Sequence, residues 1–221
     1  MDKCHAACWK HQGLRMDLKL VLIGDPILRQ TARKLTEEEI RSPYIQELIT
    51  SMRATMHEAI GVGLAAPQVG EPLQLIVLED VHAAKLSPEE QAVRKRYPVP
   101  FQVIINPVMT VTDATQFSWF ESCLSVGGHM AYDDRLWAIV PRNLGVRVSG
   151  LDQNGSPITI DARGWHARIL QHEIEHVFGR LYIDSMNSRS MTTKGLIDRY
   201  WKDMSMDEVL AQLNGDPIPK A

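Results

Sequence analysis

The feature that most constrains this chain is a His-Glu-x-x-His motif within residues 171–176. Residues four apart lie on one face of a helix, so His172 and His176 can bind one metal ion together. Glu173, next to the first histidine, is placed to move a proton on a metal-bound water. The alternative is an ordinary surface helix that carries two histidines and two acids.

The residues before the motif favour the metal site over the surface helix. A single helical stripe, at spacings i, i+4, i+7 and i+11, is formed by Trp165, Ile169, His172 and His176. A ligand pair at the end of an apolar stripe points into the core, whereas a surface pair would not. Gly179 then supplies a stop for the helix.

Two histidines need a third protein ligand to make a catalytic metal site. No histidine follows His176, and Glu175 lies on the wrong face of the helix. Cys123 is the only cysteine in the body of the chain, and its thiolate would complete a Cys–His–His site that suits Zn²⁺ or Fe²⁺. A lone cysteine after an aromatic run is otherwise a buried structural thiol.

Composition argues against several classes of protein. The formal net charge of -3 offers no basic surface for nucleic acid. No apolar run approaches the roughly 20 residues that span a bilayer, and the N-terminus lacks the apolar core of a secretory signal. Three cysteines, an odd number, favour a reducing compartment over a disulfide framework.

The hydrophobic pattern predicts an α+β fold, with antiparallel strands and hairpins around one central metal-binding helix. We expect an N-terminal extension (1–16), a catalytic domain (17–193) and a partly helical C-terminal tail (194–221). The cysteines and histidine near the N-terminus could suggest a small metal knot. No fourth ligand stands at a familiar spacing, so a frayed terminus is the preferred interpretation.

The elements are expected as follows. A capping box at Thr36 and a proline at position 43 predict two helix starts, and an amphipathic helix is expected around 207–213. A hairpin turn is expected at 152–155, and polar excursions at 79–100 and 127–136. The predicted strands are 18–23, 73–78, 103–106, 108–115, 138–140, 145–150, 158–162 and 181–183.

A glycine-rich segment at residues 61–70 precedes one of these apolar runs. Such a segment lets the backbone approach a ligand closely, although a plain turn between a helix and a strand explains it equally well. It is not a phosphate loop, because it lacks the Gly-Lys-Ser/Thr sequence.

Three segments together resemble those of peptide deformylases. Their order and spacing agree with that family, and the similarity extends from about residue 20 to about residue 193. The lead-in at 164–170 resembles the branch shared by organellar and some bacterial enzymes. The segments are Gly-Val-Gly-Leu-Ala-Ala-Pro-Gln at 61–68, Glu-Ser-Cys-Leu-Ser at 121–125 and Gln-His-Glu-Ile-Glu-His at 171–176.

The resemblance implies removal of the formyl group from the N-terminal formylmethionine of nascent chains at the ribosome, with release of formate. It implies one divalent metal held by Cys123, His172 and His176, natively iron, with zinc, nickel or cobalt accepted. Glu173 would be the general base and then the general acid as metal-bound water attacks the formyl carbon.

The resemblance also assigns residues around the substrate. The Gln68 amide and the Leu124 backbone N–H would stabilise the oxyanion, and Gly63 would offer its backbone to the peptide. We expect the helical stripe to place two side chains of the methionine pocket beside the metal, although Trp165 could equally be plain core. The expected pocket residues are Val62, Trp165 and Ile169.

Two residues and one loop depart from the family pattern. Ser122 stands where a glycine usually precedes the cysteine, so serine either adopts a positive φ at a cost or the angle there is ordinary. Glu175 replaces the usual aspartate, and we expect it to support the metal ligands through Arg142. The loop 127–139 is several residues longer than is common and could alter the peptide groove.

Other functions remain open on the sequence. A metallopeptidase with the same motif would cleave unformylated peptides and use a third ligand other than Cys123. A non-catalytic homologue that binds ribosomes or nascent chains would have no need to keep Gln68 and Glu173 in addition to the three metal-binding residues. A structural zinc domain would require a fourth ligand. The expected location is the bacterial cytoplasm, with a mitochondrial or plastid matrix as the alternative.

Overall fold

Local capping explains where the first two helices begin. In the computed structural model, which describes residues 16–127 and 130–215, Thr36 and Glu39 form the predicted capping box at helix α1 (Glu37–Ile40). Ser42 caps helix α2 (Pro43–Glu58), and Pro43 occupies its first position, as the sequence predicted.

An antiparallel sheet of six strands organises the chain, which confirms the expected α+β class. Five strands are hydrogen-bonded in the order β1-β2-β3-β4-β5, and β6 pairs with β4. The strands are β1 (Gly63–Ala65), β2 (Leu75–Asp80), β3 (Val99–Ser122), β4 (Leu136–Leu151), β5 (Pro157–Arg163) and β6 (Thr192–Thr193). The remaining helices are α3 (Pro88–Arg94), α4 (Gly164–Val177), α5 (Lys194–Tyr200) and α6 (Met206–Asn214).

The core lies on both faces of β2. Leu75 and Val77 pack with α2 in one apolar cluster, whereas Ile76 and Leu78 pack with α4 in another. Side chains alternate across a strand, so a strand buried on both faces must be apolar at every position, as residues 75–78 are. The motif helix α4 is therefore held against the sheet, not exposed on the surface.

The strands β3 and β4 are longer than the sequence predicted. The expected turn after residue 106 is a bulge inside one strand, where Asn106 has φ 53° and its side chain bonds to the backbone of Leu35. Residues 138–140 and 145–150 are likewise one strand. Pro141 lies between them on a stretch that pairs only with β3, where its missing N–H disrupts no second ladder.

Two expected strands are absent from the structure, and one of the alternatives for the glycine-rich segment is excluded. Residues 18–23 form no strand; Val21 and Ile23 instead make single backbone bonds to Gln68 and Ser125. The segment 61–70 is not a plain turn, because it contains β1 and a short 3-10 helix. Residues 181–183 belong to a 3-10 turn, which the Asp184 side chain holds by accepting from the Leu181 N–H.

The excursion at 79–100 is largely regular structure. Residues 79–100 contain the end of β2, a 3-10 turn and α3. The hairpin turn at 152–155 joins β4 and β5 as predicted.

At the other end, α5 and α6 cover the outer part of β3 and β4, where Phe120 stacks on Trp201 at 5.6 Å. Within residues 16–127 and 130–215, none of the helices has the length and apolar content needed to cross a bilayer. The N-terminal cysteines and histidine lie outside the described residues.

Candidate metal centre and catalytic site

The end of β3 and the helix α4 bring three metal-binding side chains together. The ligand atoms of Cys123, His172 and His176 all lie within 4.8 Å of one another. The Sγ atom of Cys123 is 3.3 Å from Nε2 of His176. The residues fit a divalent cation, because one thiolate and two imidazoles are a donor set that suits zinc or iron.

An unpaired polar atom beside these side chains supports the same conclusion. Oε2 of Glu173 is buried and has no hydrogen-bond partner in the described part of the chain. Buried polar atoms normally have partners. The pKa of Glu173 is raised to about 7, because burial and the charge of Glu121 raise it by more than the charges of His172 and Arg142 lower it.

The carboxylate of Glu121 orients the first histidine. Its Oε2 lies 3.0 Å from Nδ1 of His172, which leaves the other ring nitrogen for the metal. Burial opposes ionisation of Glu121, but Arg142, His172 and Arg168 outweigh it and hold its pKa well below the ordinary value. Glu121 is thus a fixed negative charge next to the ligands.

Two buried arginines complete this network. Arg142 binds both oxygens of Glu121 at 2.9 Å, and it also pairs with Glu175 at 2.7 Å, so the contact expected from the sequence is present. Arg168 donates to Glu121 at 2.6 Å and to the carbonyl groups of Val140 and Phe117. The network ties α4 to β3 and β4 around the metal ligands.

Sequence reasoning gave no role to Glu121, Arg168 or Gln171. The Gln171 side chain accepts from the Asn143 N–H and donates to its carbonyl, which fastens α4 to β4. Glu121 stands two residues before the cysteine, at the spacing that places both on one face of a strand. That spacing could have indicated a role for Glu121. The partners of Arg168 and Gln171 lie on strands far along the chain, so no local sequence pattern indicated a role for these two residues.

The amide of Gln68 is oriented toward the ligands. Its Oε1 accepts from the Ala65 N–H at 2.8 Å, so Nε2 faces Cys123 Sγ at 3.5 Å and Ser125 Oγ at 3.3 Å. The backbone N–H of Leu124 has no acceptor among the described residues. Both groups can therefore donate to an oxygen held beside the metal.

Ser122 needs no special backbone angle. It ends β3, and the non-glycine residues with positive φ in the described ranges are Ile60, Lys95 and Asn106. Of the two possibilities left by the sequence, Ser122 has an ordinary φ. The serine at this position therefore imposes no backbone strain next to Cys123.

A close contact with Glu173 explains the glycine at position 63. A Cβ added to Gly63 would lie 2.2 Å from Oε1 of Glu173 and 2.6 Å from its Cδ. Gly63 lies in β1, and its missing side chain is the space that the carboxylate occupies. The sequence assigned Gly63 to the peptide, but in the structure it also positions Glu173.

We expect Gly63→Ala to slow the reaction by roughly tenfold to a hundredfold, because displacing a catalytic group by about 1 Å has effects of that size. The metal content should not change, since the methyl group meets Glu173 and no ligand. Turnover and bound metal measured on one sample check this. Gly195→Ala in α5, where an added Cβ would lie 3.8 Å from the nearest atom, is the control for glycine replacement. A fully active Gly63→Ala enzyme would contradict the close packing.

A cavity of about 310 Å³ opens onto these groups. It is lined by Gln68, Cys123, Leu124, His172 and Glu173, and also by the expected pocket residues Val62, Gly63, Trp165 and Ile169. His176 is buried behind it.

The same cavity receives residues from both polar excursions, whose place the sequence left undefined. Its volume is at the small end of the range for ligand sites. The residues from 79–100 are His82, Leu86, Arg94 and Arg96, those from 127–136 are Tyr132 and Arg135, and Trp137 of β4 also lines the cavity.

Comparisons with known proteins agree on one family. The family described as polypeptide deformylase matches residues 17–192. The chloroplastic peptide deformylase 1A of Solanum lycopersicum is 43% identical over 181 residues, which are 81% of this chain and 63% of that protein. This chain therefore spans less than two thirds of the tomato protein's length. Peptide deformylase 3 of Streptomyces avermitilis is 37% identical over 89% of this chain and 83% of its own length.

A solved structure has the same fold. The crystal structure of a peptide deformylase from Synechococcus elongatus in complex with actinonin superposes with a TM-score of 0.64 at 34% identity. The match covers 80% of this chain and 86% of that one.

Proposed function

Because this chain belongs to the polypeptide deformylase family, we propose that it removes the formyl group from N-terminal formylmethionine. The observation that carries the proposal is the convergence of Cys123, His172 and His176 beside the buried Glu173 in one cavity. Water adds to the formyl carbon, the carbon–nitrogen bond breaks, and the products are formate and a free amino terminus. The substrates are formylmethionyl peptides, including nascent chains at the ribosome.

Cys123, His172 and His176 would hold one divalent metal ion, which supplies a Lewis acid and makes water nucleophilic at neutral pH. We assign Fe²⁺ as the native ion, because an anionic thiolate among the ligands offsets more of its charge than a neutral third histidine would. Zn²⁺, Ni²⁺ or Co²⁺ suit the same donors.

Glu173 moves the proton in both halves of the reaction. Its carboxylate takes a proton from the attacking water and then gives it to the departing nitrogen. Burial raises the pKa of Glu173 to about 7, and a group with a pKa near the working pH both accepts and donates a proton readily. Gly63 leaves room for the Glu173 side chain, and the backbone of the substrate peptide passes along β1, the strand that contains Gly63.

The oxygen of the formyl group becomes negatively charged as water adds. The Gln68 amide and the Leu124 N–H are the donors oriented toward it. The methionine side chain enters the apolar part of the cavity between Val62, Trp165 and Ile169. Trp165 and Ile169 belong to the apolar cluster of α4, and Val62 packs against that cluster.

We expect Gln68→Ala to lower kcat by roughly a hundredfold, because one donor to a developing oxyanion has effects of that size. Gln68→Glu should be similarly slow, since a carboxylate repels the oxyanion. The Michaelis constant should change less than kcat, and comparison of the two constants on a formylmethionyl peptide checks this. Equal kcat in the wild type and Gln68→Ala would remove the amide from the mechanism.

The alternative of a metallopeptidase is weaker, because it required a third ligand other than Cys123. The cellular compartment of the protein must be one that contains the substrate, and formylmethionine starts polypeptide chains in bacteria and in organelles. We propose the bacterial cytoplasm, with an organellar matrix as the alternative that the resemblance to chloroplastic relatives supports.

The proposed function is tested by formate release from formyl-Met-Ala-Ser by protein purified without oxygen, with its metal content measured on the same sample. Formate release that a chelator abolishes and added metal restores supports the proposal. Metal-loaded protein that releases no formate would overturn it, and cleavage of the unformylated peptide would favour the metallopeptidase instead.

A further inference from the structure

We propose that Arg135 binds a carboxylate of the substrate, so that the enzyme prefers formylmethionyl peptides with an aspartate or glutamate shortly after the methionine. The inference rests on the proposed deformylase function and defines the substrate class of the same site. It depends on two features of Arg135, the residue just before β4: its buried charge has no acidic partner among the described residues, and it lies on the cavity wall.

Arg135 is a buried guanidinium without an acidic partner. Its exposure is 6%, and it lines the same cavity as Cys123 and Glu173. Within residues 16–127 and 130–215 its side chain forms no salt bridge and no hydrogen bond, and its Nε is buried and unpaired. Its guanidinium carbon lies 5.3 Å from the centroid of the Tyr132 ring, a cation–π contact.

The other arginines of the cavity show how unusual this is. Arg96 binds the buried Asp80 at 2.7 Å, and Arg94 pairs with Glu90 at 3.5 Å. Arg168, still more buried, is neutralised by Glu121. Burying a charge without a partner is costly, and burial lowers the pKa of Arg135. An arginine nevertheless remains protonated, so its missing partner is an anion.

The chemistry of the accessible guanidinium atoms selects the ligand. Nε of Arg135 is buried, but its two Nη atoms are not among the buried unpaired atoms and form no hydrogen bond within the described residues, so a ligand in the cavity can reach them. A guanidinium can only donate, whereas a carboxylate can only accept and offers two oxygens. Arginine and carboxylate also pair through two parallel hydrogen bonds. A carboxylate therefore satisfies both charge and hydrogen bonding at this wall, while a neutral carbonyl satisfies only the latter.

The position of this wall points to the residues after methionine. The apolar part of the cavity, beside Trp165 and Ile169 on α4, suits the methionine side chain. Arg135 immediately precedes β4 and Trp137 belongs to it, so this part of the wall comes from the sheet and not from α4. A peptide whose formyl group lies at the metal ligands and whose first side chain lies against α4 would present its following residues to this wall.

The test uses the metal-loaded full chain and C-terminally amidated peptides based on formyl-Met-Ala-Ser. Aspartate or asparagine replaces either the alanine or the serine, and one further peptide keeps a free C-terminal carboxylate. At one of the two positions, we expect kcat/KM to be about tenfold higher for aspartate than for asparagine. One charge-assisted hydrogen bond changes binding by about that factor. The difference should lie in KM, because the contact is remote from the reacting atoms.

Variants then assign the preference to Arg135. Arg135→Gln should bring the aspartate-to-asparagine ratio close to one, and Arg135→Lys should keep part of it. Arg94→Gln is the matched control, because it removes the same charge from the same cavity but from an arginine that already has a partner. It should leave the ratio unchanged.

Three results would overturn the inference: a ratio near one in the wild type, a ratio that survives Arg135→Gln, or an advantage confined to the free C-terminal carboxylate. The wild-type ratio is decisive even if a variant fails to fold. Release of formate from the neutral peptide separates this failure from failure of the proposed function, in which no formylated peptide would be hydrolysed.

Discussion

Glu173→Gln is expected to bind its metal normally and to lose about three to four orders of magnitude in kcat/KM. General acid–base catalysis contributes up to about that much, and Glu173 serves as both base and acid in the proposed reaction. The amide fills the same space against Gly63, so the structure should not change. Because Oε2 is buried without a partner, loss of the charge should not lower the unfolding temperature.

The measurements are formate release, metal content and thermal unfolding of the same preparations. Glu175→Gln is the matched control, since Glu175 lies in the same motif but points to Arg142 and away from the cavity. It should lose about tenfold or less, as expected for a residue that acts through others. If Glu173→Gln kept substantial activity while fully metal-loaded, another group would have to move the proton.

The parts of this site that the sequence could predict are those set by local spacing. The i, i+4 geometry of a helix places His172 and His176 side by side wherever α4 lies, and the apolar stripe requires that α4 be buried. Cys123 followed by elimination, because the body of the chain offered no other cysteine. The helix starts at Thr36 and Pro43 were predictable for the same reason, since a cap acts within one turn.

The parts that the sequence could not predict depend on partners far along the chain. Asn106 and Pro107 are typical of a turn, and only the pairing of β3 with β4 makes them a bulge. Arg135 looked like one charge in a polar loop, and its burial depends on how that loop folds over the cavity. Residues 181–183 have the composition of a strand, but the Asp184 side chain closes them into a 3-10 turn by accepting from the Leu181 N–H.

Glu121→Gln should destabilise the protein and weaken metal binding together, unlike any change at Glu173. Arg142 and Arg168 are nearly fully buried and share this one carboxylate. Removing one partner of a buried ion pair costs about 3–5 kcal/mol in unfolding free energy. His172 also loses the anion that orients its ring, which lowers metal affinity by roughly tenfold to a hundredfold.

Urea unfolding of the metal-free protein measures the first effect without a contribution from metal binding, and competition with a chelator measures the second. Asp161→Asn is the control for loss of a carboxylate from an arginine pair. Its partner Arg147 lies 2.7 Å away, but both side chains are more than half exposed, so about 1 kcal/mol or less is expected. Equal losses in the two variants would mean that burial adds nothing to the Glu121 network. Loss of stability with unchanged metal affinity would mean that the network holds α4 to the sheet but does not tune His172.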